Sequence, residues 1–360
     1  MVRQLSELGH KQLVIVRGKE DKVVVDENFK IIVLKIKSFF GHENFITILY
    51  YSFFNNINLL LKIIKVRDYD VIYERHISGL FIGLILSKIR KVPLIYEVNG
   101  IVDEELFFNF NVKNRLFKKI ISKILSIQLN NSYGVIVQTK ELKKIIKKKF
   151  GTKNIFLVPN GTNLQNVSSK RSRAKMQIVY VGELNVYHNL EDVFQATHYL
   201  NEDFVFHIIG EGSMRKKYEE KYGGDKRFVF TGELNHKSAL EIIDKSDICL
   251  ASYGLQFPLF KKYGFYFCPL KILEYLSFGK PIVLYGLSNS FIKKLETKGA
   301  IIVVRSKKQF VIVLKGLIKD KKRRTFMSNA AKRIVHKFTW REAGIKTERI
   351  LKNVIKTNKK

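Results

Sequence analysis

At 360 residues, the chain is too long for a single small core and has the length of two domains of ordinary size. Apolar residues make up 46% of the chain and aromatic residues 12%, which excludes an intrinsically disordered protein. Lysine and arginine number 65 against 32 aspartates and glutamates, which gives a net charge of +33. So large an excess favours an anionic partner such as phosphate groups, nucleic acid or an acidic lipid surface.

The cysteines and the apolar runs limit the class of protein further. Cys249 and Cys268 lack the spacing of a disulfide framework or a zinc site, and we expect neither a metal nor another cofactor. The first residues have no apolar core of a secretion signal. Residues 45–54 and 77–86 are apolar runs shorter than the ~20 residues that a membrane-spanning helix needs. We therefore expect a cytoplasmic protein, with peripheral attachment to the inner face of the cell membrane left open.

Short runs of apolar, β-branched residues alternate with helical patterns along the chain. After a helix over residues 2–9, the first half contains predicted strands at residues 12–16, 31–35, 71–73, 94–97, 134–137 and 155–158. Residues 162–175 are polar, basic and without periodicity, and we interpret them as a linker between domains. In the second half, strands are predicted at residues 177–182, 204–210, 228–232, 248–251, 281–284 and 300–304.

This alternation is typical of α/β domains with parallel sheets and helices on both faces. We expect a first domain over residues 1–165 and a second over residues 172–338. Two such domains facing one another would form a cleft, and clefts between domains are preferred ligand sites.

Two helical segments of the first half, residues 114–129 and 140–149, are unusually basic. In the first, seven apolar residues share one face and three lysines lie off it. Such a pattern is common in helices that pack on a core and expose a charged face. It also suits attachment to an anionic membrane, which needs both apolar insertion and positive charge. The net charge favours the membrane for the first domain, and both interpretations stay open.

The most informative motif is FCPLKILEYLSFGKPIV at residues 267–283. Pro269 is suited to open a helix, because its missing N–H would have no partner there. The start of a helix presents free N–H groups and a positive dipole, so Leu270 and Lys271 could hold a diphosphate. Glu274, one turn further, could accept hydrogen bonds from ribose hydroxyls. An ordinary crossover helix with solvated Lys271 and Glu274 is the alternative.

This motif resembles the donor-site signature of retaining family 4 glycosyltransferases, in the branch with the pattern PLKxxEYxxxGKP. Other segments resemble motifs of the same family, and they follow in order along the chain: IYEVNG (95–100), VPNGT (158–162), VYVGEL (179–184), FHIIGEGSM (206–214), FVFTGEL (228–234) and FTW (338–340). The resemblance implies the GT-B fold, with two facing Rossmann-like domains. It also implies that the last helix, about residues 340–360, returns to the first domain.

The resemblance further implies a metal-independent hexosyl-type enzyme. Such an enzyme moves a sugar from a nucleoside-diphosphate-sugar to a hydroxyl of a glycan or lipid-linked acceptor, with retention, in the synthesis of cell-surface polysaccharide or glycoconjugate. Lys271 would stabilise the departing diphosphate and Asn99 would lie on the acceptor side, which makes these two the catalytic candidates. The donor-binding candidates, besides Lys271, are Gly182, Glu183, Gly210, Gly212, Gly232, Leu234, Tyr266, Leu270 and Glu274.

The chain departs from the family pattern in ways that affect the site. Tyr266 stands where many relatives have a glutamate that contacts the donor sugar. Glu183 and His188 stand where many have an arginine and a lysine for the phosphates. Asn99 replaces an acceptor-side histidine, and an amide can hydrogen-bond a sugar but cannot transfer a proton. Lys271 and backbone amides would then neutralise the charge of the phosphates, with Lys261 or Lys262 as further candidates.

The first domain also begins differently, because relatives open with a strand and a glycine-rich loop and this chain begins on the helix that follows them. Either the natural start lies upstream, or the domain is a truncated copy whose activity is in doubt. The D-x-D pattern at residues 68–70 precedes a strand and is interpreted as a turn.

Two other functions stay open. One is a non-catalytic relative that binds a nucleotide or glycan. The other, a nucleic-acid-binding protein, is disfavoured, because the chain has no zinc-finger spacing and no aromatic RNA-binding signature, and we expect no nucleic acid partner.

Overall fold

The structure, a computed structural model, describes residues 1–18, 22–25, 29–35, 57, 59–61, 63–76, 81–166 and 175–358. The chain divides into two compact units. We call Met1–Pro159 with Trp340–Lys360 the N-terminal unit, and Asn160–Thr339 the C-terminal unit. The apolar run at residues 45–54 lies outside the described residues, as do residues 77–80 and most of the expected linker.

The elements alternate between helices and strands, as the sequence predicts. The first part of the chain forms α1 (Val2–Glu7), β1 (Gln12–Gly18), β2 (Lys22–Val25), β3 (Phe29–Lys35), β4 (Ile72–Arg75), α2 (Ile82–Arg90), β5 (Leu94–Val98), α3 (Val102–Asn109), α4 (Arg115–Asn130), β6 (Gly134–Val137), α5 (Lys140–Phe150) and β7 (Ile155–Leu157). The second part forms β8 (Met176–Val181), α6 (Leu190–Thr197), β9 (Phe204–Ile209), α7 (Arg215–Tyr222), β10 (Phe228–Gly232), α8 (His236–Lys245), β11 (Ile248–Tyr253), α9 (Pro258–Tyr263), α10 (Leu270–Ser277), β12 (Ile282–Gly286), α11 (Ser290–Thr297), β13 (Ile301–Val304), α12 (Lys307–Lys319), α13 (Lys321–Val335) and α14 (Trp340–Asn358).

In the N-terminal unit, four parallel strands pair in the order β4-β5-β6-β7. A second group pairs in the order β1-β3-β2, and β2 runs antiparallel to β3. The sequence does not predict β2, because this short exposed strand shows no alternation of apolar and polar residues. The last helix, α14, belongs to this unit, where its Leu351 and Val354 pack with Ile95 of β5.

The C-terminal unit contains one sheet of six parallel strands in the order β10-β9-β8-β11-β12-β13. Counted from β8, this is the order 3-2-1-4-5-6 of Rossmann-like sheets, which reverses direction between β8 and β11. Its core is apolar and includes the fully buried Phe206 of β9 and Phe194 of α6. Ligands of such sheets bind at the carboxyl ends of the strands, beside the point where the order reverses.

All twelve predicted strands are present, and both units have the Rossmann-like α/β character that was expected. Of the helices in the described ranges, none combines the length and the apolarity that crossing a lipid bilayer requires.

Candidate functional site

Lys271, in the first turn of α10, lies at the carboxyl ends of β8 and β11, where the strand order reverses. Its Nζ donates a hydrogen bond of 2.9 Å to the hydroxyl of Tyr180, near the end of β8. The same atom lies 4.1 Å from the centre of the Tyr180 ring and 5.8 Å from the centre of the Tyr253 ring, on the last residue of β11. The structure therefore places the predicted catalytic lysine where this sheet topology favours a ligand.

The ammonium group of Lys271 has no carboxylate within ion-pair distance among the described residues. Burial lowers the pKa of Lys271 to about 7, although the charges of Glu183 and Glu274 oppose this shift. An anion placed beside Nζ would favour the charged form and raise this pKa again. This arrangement favours the binding of a negatively charged ligand beside Lys271.

Gly182 leaves the space that Lys271 uses. This residue follows β8 with φ at +137°, and a Cβ on it would lie 2.5 Å from the lysine Nζ. Gly210, which follows β9, would place a Cβ 2.1 Å from the carbonyl oxygen of Gly182. The two loops thus pack backbone against backbone. Gly212 and Gly232, the other predicted glycines, lie in the loop after β9 and at the end of β10.

His188 is a neutral neighbour of Lys271 and not a second cation. It ends a short 3₁₀ turn, Val186–His188, and its Nδ1–H donates to the carbonyl oxygen of Ser252 at 3.0 Å. Burial, together with the nearby charge of Lys271, lowers the pKa of His188 to about 2. The imidazole therefore stays uncharged at physiological pH and cannot neutralise a phosphate.

The start of α10 differs from the expectation by one residue. Pro269 is the N-cap, with φ −71° and ψ 120°, and Leu270 is the first helical residue. No side chain caps this end, and Leu270 is half exposed. The first N–H groups of α10 therefore lack a side-chain partner, as an anion site at a helix start requires.

Glu274 is held by a residue that the sequence analysis did not single out. Its Oε1 accepts a hydrogen bond from Nε2 of His236 at 3.1 Å, and the Glu274 side chain is 28% exposed. His236 is the first residue of α8 and follows the half-buried Leu234 by two positions. The only sequence signal for it was its place just after the FVFTGEL motif.

Two predicted donor contacts have different surroundings. Glu183 is exposed, and its Oε2 accepts hydrogen bonds from Asn185 Nδ2 at 2.8 Å and from the Tyr187 hydroxyl at 2.9 Å. Tyr266 is fully buried, with its ring 4.5 Å from that of Phe267. The placement of Tyr266 is that of a packing residue, and its role in donor binding stays a prediction.

Asn99 belongs to the N-terminal unit and follows β5. It is half buried, and its Oδ1 atom is buried without a hydrogen-bond partner among the described residues.

In the described ranges, no group of three or more histidine, cysteine, aspartate and glutamate residues could hold a metal ion. Asp68 of the D-x-D pattern has φ at +67°, a conformation typical of turns. Cys249 and Cys268 are buried, and neither forms a disulfide within the part of the chain that the structure describes.

Comparison with known families gives two matches that together cover most of the chain. Glycosyltransferase Family 4 matches residues 1–166, and Glycosyl transferases group 1 matches residues 161–334. No significant match was found among the curated proteins.

Solved structures share the fold at low sequence identity. The sucrose-phosphate synthase of Thermosynechococcus elongatus is 12% identical, with a TM-score of 0.75 over 99% of this chain and 93% of the other. An E. coli trehalose-6-phosphate structure with bound UDP-2-fluoro glucose is 13% identical, with a TM-score of 0.75 over 98% and 94%. WaaG, a glycosyltransferase involved in lipopolysaccharide biosynthesis, is 15% identical, with a TM-score of 0.64 over 96% and 93%.

The family matches and the shared fold confirm the resemblance that the motifs indicated. Both halves of the chain match glycosyltransferase models, the first of them that of family 4, and the fold is that of GT-B enzymes: this protein belongs to the family 4 glycosyltransferases.

Proposed function

We propose that the protein transfers a sugar from a nucleoside-diphosphate-sugar to a hydroxyl of a glycan or lipid-linked acceptor, with retention of configuration and without a metal. The observation that carries this proposal is the position of Lys271, whose ammonium group lies where the strand order reverses and has no carboxylate partner among the residues that the structure describes. Negative charge grows on the diphosphate as the sugar departs. A fixed cation and unpaired N–H groups aimed at that charge lower the barrier.

We assign the remaining roles to the other residues that the sequence predicted. Glu274 accepts hydrogen bonds from the ribose, and the amide of the half-buried Asn99 forms a hydrogen bond with an acceptor hydroxyl. The leaving phosphate takes the acceptor proton on the same face of the sugar, so that no carboxylate nucleophile is needed. UDP-sugars are the first donors to test, because a structure of this fold contains UDP-2-fluoro glucose.

A thermal-shift panel with UDP, GDP and ADP tests the donor site. A ligand that binds only the folded state raises the melting temperature, so one of the three nucleotides is expected to stabilise the chain. Glu274→Ala should reduce that shift strongly, while Glu241→Ala, a change on α8 away from these contacts, should keep it. Failure of all three nucleotides to stabilise the wild-type chain would contradict the proposal.

Turnover separates an enzyme from a non-catalytic binder. The wild-type chain is expected to release the nucleotide from its sugar donor, and Lys271→Ala should lower that rate by about 100-fold or more. Stabilisation by a nucleotide without any turnover, with or without an acceptor, would favour the binder.

A surface of the N-terminal unit supports a membrane location. On α4, Ile121, Leu125 and Leu129 are buried, and they account for the part of the helix that packs on the core. Other apolar side chains of this region are exposed, and exposed cations lie near them in the sequence. We call this surface the α3–α4 patch; it consists of Phe108, Phe110, Leu116 and Ile120, with exposed Lys113, Arg115, Lys119 and Lys123.

We infer that the α3–α4 patch attaches the enzyme to an anionic membrane that carries its acceptor. Leu116 is 69% exposed and Ile120 is 47% exposed, so both can enter the headgroup region while the cations meet lipid phosphates. A role in the synthesis of cell-surface glycans is consistent with this location. The fold is shared with WaaG, which acts in lipopolysaccharide biosynthesis.

Flotation with liposomes tests the patch. The chain should float with liposomes rich in phosphatidylglycerol and remain below with phosphatidylcholine alone, because the charge term needs anionic lipid. Leu116→Asp with Ile120→Asp should abolish flotation. Ile312→Asp, at a residue of α12 that is 61% exposed, is the control and should leave flotation intact. Flotation that survives the double change, or salt-dependent retention on DNA in its place, would contradict the membrane assignment.

A further inference from the structure

The pairing of His236 with Glu274 joins two elements that come from different sides of the site. His236 begins α8, directly after β10, and Glu274 lies one turn into α10. The Nε2···Oε1 distance is 3.1 Å. Among the described residues, no other side chain donates a hydrogen bond to this carboxylate. The carboxylate therefore has one oxygen engaged and the other available.

The position of the pair follows from the site proposed above. Lys271 and Glu274 are three residues apart, so they lie on one face of α10. With a diphosphate at Lys271, the adjoining ribose would lie beside Glu274. His236, the first residue of α8, contacts the Glu274 carboxylate there.

We propose that His236 is a positioning residue, which holds the Glu274 carboxylate in the orientation that accepts the ribose hydroxyls and so makes the donor site selective for ribonucleotides. This inference rests on the proposed function of the same site. A glutamate side chain has several rotamers, and ordering it costs free energy when a ligand binds. His236 orders the carboxylate beforehand, and the exposed side of the carboxylate is left for the ligand.

The imidazole can act in either of two protonation states. Nε2–H donates to the carboxylate in one neutral tautomer and also in the charged ring. Because the His236 side chain is 73% exposed, its removal opens no cavity and leaves the packing of α8 intact. Loss of the residue should therefore change ligand selectivity and leave the fold unchanged.

The experiment compares a nucleoside diphosphate with its 2′-deoxy form, using whichever of UDP, GDP and ADP binds the wild-type chain most tightly. Dissociation constants are measured by calorimetry for the wild-type chain and for His236→Ala, His236→Gln, Lys237→Ala and Glu274→Ala. The wild-type chain should prefer the ribonucleotide by about tenfold, since a hydrogen bond to a charged group is lost with the hydroxyl. In His236→Ala this preference should fall to about threefold or less.

The other variants separate positioning from a general structural role. His236→Gln keeps an N–H donor and should restore most of the preference, and Lys237→Ala, an exposed neighbour on the same helix, should leave it unchanged. Equal weakening of both nucleotides in His236→Ala, with the tenfold preference kept, would overturn the inference.

Glu274→Ala distinguishes failure of the His236 inference from failure of the proposed function. If Glu274→Ala loses the preference and His236→Ala keeps it, the ribose role of Glu274 stands and only the inference is wrong. If the wild-type chain binds none of the nucleotides, or if Glu274→Ala keeps the preference, the proposed function fails and the inference fails with it.

Discussion

Lys271 holds an ammonium group against two tyrosine rings, where it has lost much of the hydration that it has in the unfolded chain. Burial lowers its pKa to about 7 from an ordinary value of 10.5. Between these values the unfolded chain binds more protons than the folded chain, so the stability contributed by this group rises with pH. Below about pH 7 the group is charged in both states, and the full penalty of burying the charge is present.

Lys271→Met should therefore stabilise the chain while removing its activity. We expect a gain of about 3–5 kcal/mol at about pH 6, which shrinks towards zero as the pH approaches 10. Urea unfolding at several pH values measures this difference, and Lys237→Met, at an exposed lysine, should show no such trend. If Lys271→Met is less stable than wild type at about pH 6, the prediction is wrong, because burial of the ammonium group then carries no net cost.

Of the residues around Lys271, the sequence motif predicted the lysine and Glu274, because both belong to one short helix. It could not predict His236, which lies 38 positions from Glu274 and meets it only through the fold. Nor could it predict that His188 is buried and neutral, since burial depends on contacts with distant residues.

At the scale of elements, the loop after β8 and the loop after β9 contact each other, and together they position the site. The N–H of Gly182 donates to the carbonyl oxygen of Ile209 at 2.9 Å, and Gly210 packs on the carbonyl of Gly182. This close approach holds the end of β8 beside the Lys271 ammonium group, where a Cβ on Gly182 would lie 2.5 Å from Nζ. The glycines thus serve the packing of one loop on another.

Gly210→Ala should destabilise the C-terminal unit by about 2–4 kcal/mol, because its φ of +137° and the 2.1 Å approach of a Cβ to the Gly182 oxygen both disfavour a side chain. Thermal or urea unfolding measures the change. Gly224→Ala is the matched control, since a Cβ there meets nothing within 4 Å, and it should change stability by no more than about 0.5 kcal/mol. Similar values for the two variants would contradict the packing argument.

At the scale of the whole molecule, the N-terminal unit contains two separate stretches of the chain, one before and one after the C-terminal unit. The last helix, α14, belongs to the N-terminal unit, and its Leu351 and Val354 share a core with Ile95 and Leu5. A Cβ on Gly344 of α14 would lie 2.7 Å from the Cβ of Gln4, so α1 packs closely on this helix. The stability of the N-terminal unit therefore depends on residues that follow the C-terminal unit in the chain.

Leu351→Ala combined with Val354→Ala should destabilise the N-terminal unit by about 3–5 kcal/mol, through lost burial and the cavity that remains. Hydrogen exchange followed by mass spectrometry should show faster exchange in β5 and β6 and unchanged exchange in β8 and β9. Lys352→Ala, at the exposed position between them, should alter neither unit. Faster exchange in β8 and β9 as well would mean that the two units unfold together.

The sequence by itself determined twelve of the thirteen strands in the described ranges, the alternation of strands with helices, the start of α10 to within one residue and the family to which the chain belongs. These features depend on local properties, namely the spacing of apolar residues and the backbone preferences of proline and glycine, which neighbouring residues carry. Only the tertiary structure decided that Tyr266 is buried, that His236 holds Glu274, and that some apolar residues of α4 face outwards while others join the core. Each of these depends on which distant segments meet, and a contact of that kind forms only when the sheets and helices have packed.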